Sequence, residues 1–328
     1  MFVYSIIIPH HNIPKLLQRC LDSIPRRPDL EVIIVDDNSD PEIVDFEHFP
    51  GLVRSDTTII FDKSGKGAGR ARNIGLAHAQ GKWLLFADAD DFFTYCLNDV
   101  LDEYVDCDKD IVFFKTSSVD SEYYTNADRD YYNNLIEKYR EDEIVGDQLL
   151  RYGFVSPWCK LIRRKIVVEN AISFQETKIH NDVKFSYLTG YFAKTIGVDS
   201  RALYCVTYRK DSITNTLTDD KIIDRAKVLA EMKHFCMHHN LPEEFANPQL
   251  FTDDLIKLKE QGKEIVYEKC LEAFASFGFS NEVIEDMVSV ELSRRKLFQK
   301  QAIINKKLYC FKKVGRKVLS SFLHLVIR

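Results

Sequence analysis

Residues 84–93 read LLFADADDFF, an apolar run that ends in Asp88, Asp90 and Asp91 with no basic residue among them. A second acid pair, Asp36 and Asp37, closes the run LEVIIVDD at 30–37. Carboxylates packed this closely stay ionised together only if a cation or hydrogen-bond donors compensate them. Hard divalent cations take oxygen ligands, and Mg²⁺ commonly keeps only one or two carboxylates and completes its shell with substrate phosphates. The pattern therefore points to a metal–diphosphate site on Asp88 and Asp90. Turn formation and helix capping is the competing reading. It suits Asp40 and Asp91 but leaves Asp88 and Asp90 together unexplained.

A diphosphate also needs positive charge. GKGAGRARNIG (65–75) lies just ahead of the apolar run and carries Lys66, Arg70 and Arg72. Glycine permits close backbone approach and arginine can clamp phosphate oxygens; a solvated helix start is the alternative. The stretch is not a dinucleotide fingerprint. Its first glycines fall at 65, 67 and 69, and the first strand ends in PHHN with none. A phosphate loop would need Ser or Thr after Gly-Lys, which is lacking. DDNSDPEIVDFE (36–47) has some calcium-loop spacing, but Pro41 stands where glycine is required and a strand precedes it.

These residues need a scaffold that brings strand ends together. YSIIIP (4–9) and LEVIIVDDNS (30–39) are apolar on successive residues, as in strands buried on both faces of a parallel sheet. Between them, Leu16, Leu17, Cys20, Leu21 and Ile24 have helical spacing. TTIIFD (57–62) reads as a third strand, 69–81 as a helix stopped by Gly81, and KWLLFAD (82–88) as a fourth strand. This alternation predicts an α/β layered domain with its site at the carboxyl ends of the strands, where all four acids would face one crevice. Further on, 110–118 and 202–209 read as strands and 183–194 as a helix. The tyrosine-rich stretch 120–145 reads as a mobile or ligand-facing segment, and everything after 217 as helix.

Composition excludes several classes. The 328 residues are 45% hydrophobic and 29% charged, ordinary for a globular protein. The eight cysteines contain no C-x-x-C pair, so a zinc cluster or disulfide framework is not expected. The opening MFVYSIIIPHHN has no basic n-region, so no signal peptide is expected, and no apolar run approaches the ~20 residues of a membrane span. A cytoplasmic location follows as the expectation. Nucleic acid is not among the expected partners. From Leu292 to Arg328 there are 11 Lys and Arg and no acid, which leaves 34 basic against 50 acidic residues elsewhere. In LYCFKKVGRKVLSSFLHLVIR (308–328) Phe311, Val314, Val318, Phe322 and Leu325 fall on one helical side. Lys313, Arg316, Lys317, His324 and Arg328 fall on the other. An interfacial helix on anionic lipid at the inner face of the cell membrane is one reading; a helix packed on its own domain or a partner subunit is the other.

SIIIPHHN…LLQRCLDSI, VIIVDDNSD, GAGRARNIGLAHAQGKWLLFADADD and PWCKLIRRKIVVENAISFQETKIHNDVKFS occur in an order that resembles the inverting glycosyltransferases of family 2, with the GT-A fold. The likeness covers about 3–217 and is nearest to bacterial members that build capsule, O-antigen or exopolysaccharide chains. It implies a Rossmann-like, mostly parallel central sheet flanked by helices. The nucleotide-sugar half would span about 1–95 and the acceptor half about 96–217, followed by a helical C-terminal region, 218–328. It also implies a nucleotide-sugar donor, UDP-linked, a glycan or lipid-linked saccharide acceptor, and Mg²⁺ or Mn²⁺.

Roles follow for matching positions. The family's P-x-Y-N stands here as Pro9, His10, His11 and Asn12, so His11 replaces the aromatic that flanks the base. Asp37 would accept a hydrogen bond from the base. Arg70, Arg72, Asn73, Asp88 and Ala89 would line the donor pocket, and Asp88 and Asp90 would form the metal-binding D-x-D motif. The family's Glu-Asp pair is Asn181-Asp182 here, which keeps Asp182 as the implied base with His180 in reserve; an N-cap on the following helix is the alternative role. Trp158, Lys160 and Asn181 would border the acceptor, with plain core packing as the alternative for Trp158. Two rival functions stand beside this one. A non-catalytic sugar-nucleotide-binding or scaffold protein is favoured only by the Glu-to-Asn change. A sugar-nucleotide pyrophosphorylase would need a basic glycine loop where PHHN stands.

Overall fold

The computed structural model describes residues 2–209, 217–246 and 248–297. The tail at 308–328 lies outside them. The chain divides into two compact units, Met1–Val228 and Leu229–Arg328.

In the first unit, strands Tyr4–His10 (β1), Leu30–Asp37 (β2), Thr57–Asp62 (β3) and Trp83–Phe86 (β4) run parallel. β1, β2 and β4 are buried along their whole length, which is why their sequences lack alternation. Pro14 opens the first helix, Pro14–Asp22 (α1), where its missing N–H costs nothing. A second helix, Ala68–His78 (α2), packs on β1 and β2. It ends before Gly81, because Ala79 is already extended. Gly81 has another role: a Cβ there would lie 2.6 Å from the Tyr4 carbonyl carbon.

The chain continues through Phe92–Phe93 (β5), Leu97–Glu103 (α3) and Ile111–Asp120 (β6). Helices Asn133–Glu141 (α4) and Glu143–Gln148 (α5) follow, then Lys160–Arg163 (β7), Arg164–Glu169 (α6), Val183–Phe192 (α7) and Ile196–Tyr208 (β8). The eight strands make one sheet in the order β3-β2-β1-β4-β7-β6-β8-β5. β7 pairs antiparallel with both β4 and β6, and β8 runs parallel to β6. The second half of the tyrosine-rich stretch is thus helical rather than loose. Buried Ile136 and Tyr132, the latter stacked on Phe154 at 4.0 Å, anchor it among its charges.

Among the described residues beyond 217 the chain is mostly helical: Asp219–His238 (α8), Pro248–Glu260 (α9), Glu264–Ala275 (α10) and a further helix over 281–297. In the second unit, Phe251 of α9 stacks on Phe274 of α10 at 3.7 Å. Among the described residues no helix is long and apolar enough to cross a membrane.

Candidate active site

The carboxyl ends of β1, β2 and β4 converge, and the loops that leave them are tied together by their own polar side chains. The Ile13 N–H donates to His10 Nε2, so His10 Nδ1 carries the proton and donates to Asp36 Oδ2 at 2.7 Å. Asp36 also accepts from the Ser39 hydroxyl at 2.6 Å. Burial pushes its pKa up, but the bonds from His10 and Ser39 win and hold it below the usual carboxylate range. Asp36 is therefore spent on the scaffold and does not face the crevice as a free acid. Asn12, in left-handed backbone at φ 57°, accepts from the Asp40 N–H at 2.7 Å and donates its own N–H to Ser39 Oγ. Asp40 accepts from the Glu42 N–H, the turn role expected of it. His11 is exposed; its Nδ1–H donates to the Asp37 carbonyl at 2.9 Å. Pro9 lies buried within β1.

Asp37 differs from its neighbour. Its Oδ2 accepts from the Gly67 N–H at 2.8 Å, while Oδ1 is buried and has no hydrogen-bond partner. Burial raises its pKa. An acceptor aimed inward without a donor is a ready place for a ligand N–H.

At the end of β4 the acids meet arginines. Arg72 Nη2 donates to Asp88 Oδ1 at 2.5 Å, and its Nη1 donates to Asn181 Oδ1 at 2.8 Å. One guanidinium therefore joins the D-x-D stretch to the loop before α7. Asp90 Oδ2 takes Arg209 Nη2 at 2.8 Å, and its backbone carbonyl takes Arg19 Nη2 at 2.5 Å. Burial and the Asp88 charge raise the Asp90 pKa against the pull of Arg209. Ala89 is buried between the two acids. Asp91 does not cap a helix, as its type and place suggested. It is buried and accepts from the Thr207 N–H at 2.6 Å, tying the loop after β4 to β8, with its pKa driven well up by burial and by Asp90.

Asp182 stands at the N-cap position of α7, with φ −94° and ψ −17°, yet its carboxylate makes no capping hydrogen bond. Burial raises its pKa and the Arg72 charge opposes this. A carboxylate left uncapped and made more basic has the chemistry of a proton acceptor. His180, the reserve candidate, has its pKa pushed down to about 4 by burial and by Arg225, which makes it a poor base near neutrality.

The remaining expected residues are placed as follows. Asn73 is engaged twice with the Phe174 backbone: Nδ2 donates to its carbonyl at 3.0 Å and Oδ1 accepts its N–H at 2.7 Å. It holds Phe174 against α2. Arg70 pairs with Asp62 at 2.8 Å and with Glu176 at 3.7 Å. Trp158 is buried, stacked on Tyr204 at 5.7 Å, and the Tyr204 hydroxyl accepts the Asp88 N–H at 2.8 Å. Its surroundings are those of the packing alternative, and it backs the acid cluster from behind. Lys160 is also buried, with Nζ donating to the Phe154 carbonyl and its pKa pushed down to about 7 by burial against the pull of Asp182.

Gly69 explains how α2 and the loop before α7 come this close. A Cβ at Gly69 would lie 1.9 Å from the Gln175 carbonyl oxygen and 3.0 Å from the Asn181 Cβ. Gly69→Ala should push the 175–181 segment away and cost about 1–3 kcal/mol of stability. Urea unfolding measures this, and an unchanged midpoint would mean that the segment yields freely.

The donor set suits a hard cation. Arg72 holds Asp88 by Oδ1 and Arg209 holds Asp90 by Oδ2, and the carboxylate oxygens are the right element for such an ion. Among the described residues no three His, Cys, Asp or Glu side chains gather into a group that could hold a metal ion by themselves. Sequence reading missed Arg19 and Arg209. Arg209 directly follows the apolar run of β8, a basic mirror of the acids that end β4. Arg19 left no signal, being one polar position on an amphipathic helix.

Comparison with known proteins gives consistent matches. "Glycosyltransferase GlyA" of Streptococcus pneumoniae is 21% identical over 333 residues, covering 87% of this chain and 46% of that protein. A "PGL/p-HBAD biosynthesis glycosyltransferase" of Mycobacterium bovis is 38% identical over 91 residues, 27% of this chain and 36% of its own. The chain thus spans less than half the length of these two relatives. The crystal structure of S. aureus TarS 1–349 in complex with UDP-GlcNAc superposes with a TM-score of 0.61 at 19% identity, covering 90% of this chain and 92% of that one. That likeness is one of fold, and the fold is GT-A. The model of Glycosyl transferase family 2 matches residues 5–170, half of the chain, and the protein belongs to that family.

Proposed function

We propose that the protein is an inverting glycosyltransferase that moves a sugar from a UDP-sugar to a hydroxyl of a glycan or lipid-linked glycan in cell-surface polysaccharide synthesis. The observation that carries this reading is the Arg72 bridge between Asp88 and Asn181, beside an uncapped Asp182. It sets an acid pair suited to a diphosphate next to a basic carboxylate suited to an acceptor. The TarS structures with UDP and with UDP-GlcNAc share the fold and support a UDP-linked donor.

On this proposal the residues divide the work between them. The unpartnered Asp37 Oδ1 accepts an N–H of the base, with His11 as the neighbouring exposed ring. Asp88 and Asp90 would hold Mg²⁺ or Mn²⁺, which when bound would neutralise charge on the departing diphosphate. Asp182 takes the proton of an acceptor hydroxyl, whose oxygen attacks the anomeric carbon in line as the bond to the diphosphate breaks. The sugar inverts and no covalent enzyme intermediate forms.

Release of nucleoside diphosphate from a panel of UDP-sugars, with and without Mn²⁺, tests the proposal. Release should depend on the metal, cease with EDTA and return with excess Mn²⁺. Binding of UDP-sugars without release from any member would leave a non-catalytic binding protein instead.

A further inference from the structure

We propose that the tyrosine turn at 120–132 is a saccharide platform, the acceptor subsite of the transfer described above, with the rings of Tyr123, Tyr124 and Tyr131 as the surfaces on which pyranose rings lie. The inference rests on that transferase reading and adds residues to its acceptor side.

The turn is held in place at many points. The Asp120 N–H donates to the Thr125 carbonyl at 2.7 Å, Val119 bridges to Asn126, and the Ser121 N–H donates to the Tyr208 carbonyl at 2.9 Å. The Asp120 carboxylate accepts from the N–H groups of Glu122 and Tyr123, each at 2.9 Å. Tyr124 is kept at φ 57°, a conformation uncommon for a bulky residue. Despite this anchoring, Tyr123, Tyr124 and Tyr131 are 71%, 55% and 59% exposed. Large aromatic rings carried into water by an anchored turn suit a binding surface.

The turn also sits at the acid cluster. The Arg19 guanidinium that donates to the Asp90 carbonyl at 2.5 Å also donates to the Ser121 carbonyl at 3.2 Å and to the Tyr124 hydroxyl at 3.3 Å. One side chain therefore spans from the D-x-D stretch to the platform. At the other end, the Tyr131 ring lies 4.2 Å from that of buried Tyr132, which stacks on Phe154 and meets Trp158 edge-on at 5.6 Å. The exposed ring is continuous with the aromatic core behind Asp88.

Charge selects the ligand. Residues 120–132 hold Asp120, Glu122, Asp128 and Asp130 against one Arg129. Such a surface repels phospholipid headgroups and nucleic acid. It accepts a neutral, hydroxyl-rich ligand, whose C–H faces suit the tyrosine rings and whose hydroxyls suit the phenols.

Titration calorimetry with chitotriose, maltotriose and cellotriose, each in the presence of UDP and Mn²⁺, tests the platform. Wild type should bind at least one of them, and Tyr123→Ala/Tyr124→Ala should weaken that binding by about tenfold. Circular dichroism checks that the double variant folds. Tyr123→Ala alone keeps the test sharp if it does not, and Tyr123→Phe/Tyr124→Phe, which retains both ring faces, should keep most of the affinity. Wild type that binds none of the three, or a folded Ala variant that binds as wild type does, overturns the platform. UDP binding to wild type is read separately, and its absence would sink the transferase reading instead.

Discussion

Asp182→Asn should lower the rate of sugar transfer about 10²–10⁴-fold while UDP binding persists. The expectation rests on one structural contrast. An Asp at a helix N-cap ordinarily spends its carboxylate on the first turn of the helix, and Asn caps equally well. Asp182 occupies that position without making the bond, so the substitution should cost little stability. What Asn cannot do is take a proton. Burial also raises the Asp182 pKa, so the base is stronger than an ordinary aspartate, and the acid limb of the rate profile should lie above the usual carboxylate range. The measurement is kcat with a competent UDP-sugar and acceptor, alongside calorimetry with UDP. Near-normal turnover in a folded Asp182→Asn protein would remove Asp182 from its role.

Arg72→Met should be nearly as severe. The guanidinium holds Asp88 and Asn181 at once, and its charge opposes the effect of burial on Asp182. Its loss frees the D-x-D stretch from the loop that carries the base, and misplacement of this kind can cost about 10²-fold in rate. A second signature distinguishes this from plain loosening. With the positive charge gone, the Asp182 pKa rises further, so the acid limb should move to higher pH. Arg72→Lys keeps a charge but cannot bond two partners in a planar fork, so it should recover part of the pH profile and little of the rate. A pH profile in Arg72→Met that coincides with wild type would mean that Arg72 does not act on Asp182.

Much of this arrangement was legible in the sequence because it depends on local pattern. Unbroken apolar runs in β1, β2 and β4 announce strands buried on both faces, and the acids at the ends of β2 and β4 mark where polar chemistry gathers. What local pattern cannot carry is the choice among chemically similar neighbours. Asp36 and Asp37 are adjacent and identical in type, yet His10 and Ser39 claim the first and leave Oδ1 of the second unpartnered. Asn73 sits beside Arg72 on α2 and read as its companion, but its amide is committed to the Phe174 backbone. Arg19 and Arg209 arrive at Asp90 from α1 and from the residue after β8, and only the fold brings such distant positions together.

Gly69, Arg72 and Asn73 lie on one side of α2 and fasten in turn to Gln175 and Asn181, to Asn181, and to Phe174. The helix therefore works as a ruler. Its pitch sets the spacing of these contacts along the 174–181 segment, which leads into Asp182, the proposed base. Each residue added or removed within 69–73 would rotate the far contact by about 100° around the helix and carry it off the loop. The same change in the surface loops between would leave that spacing intact. The registry of α2 on the segment that carries the proposed base thus rests on five residues of one helix.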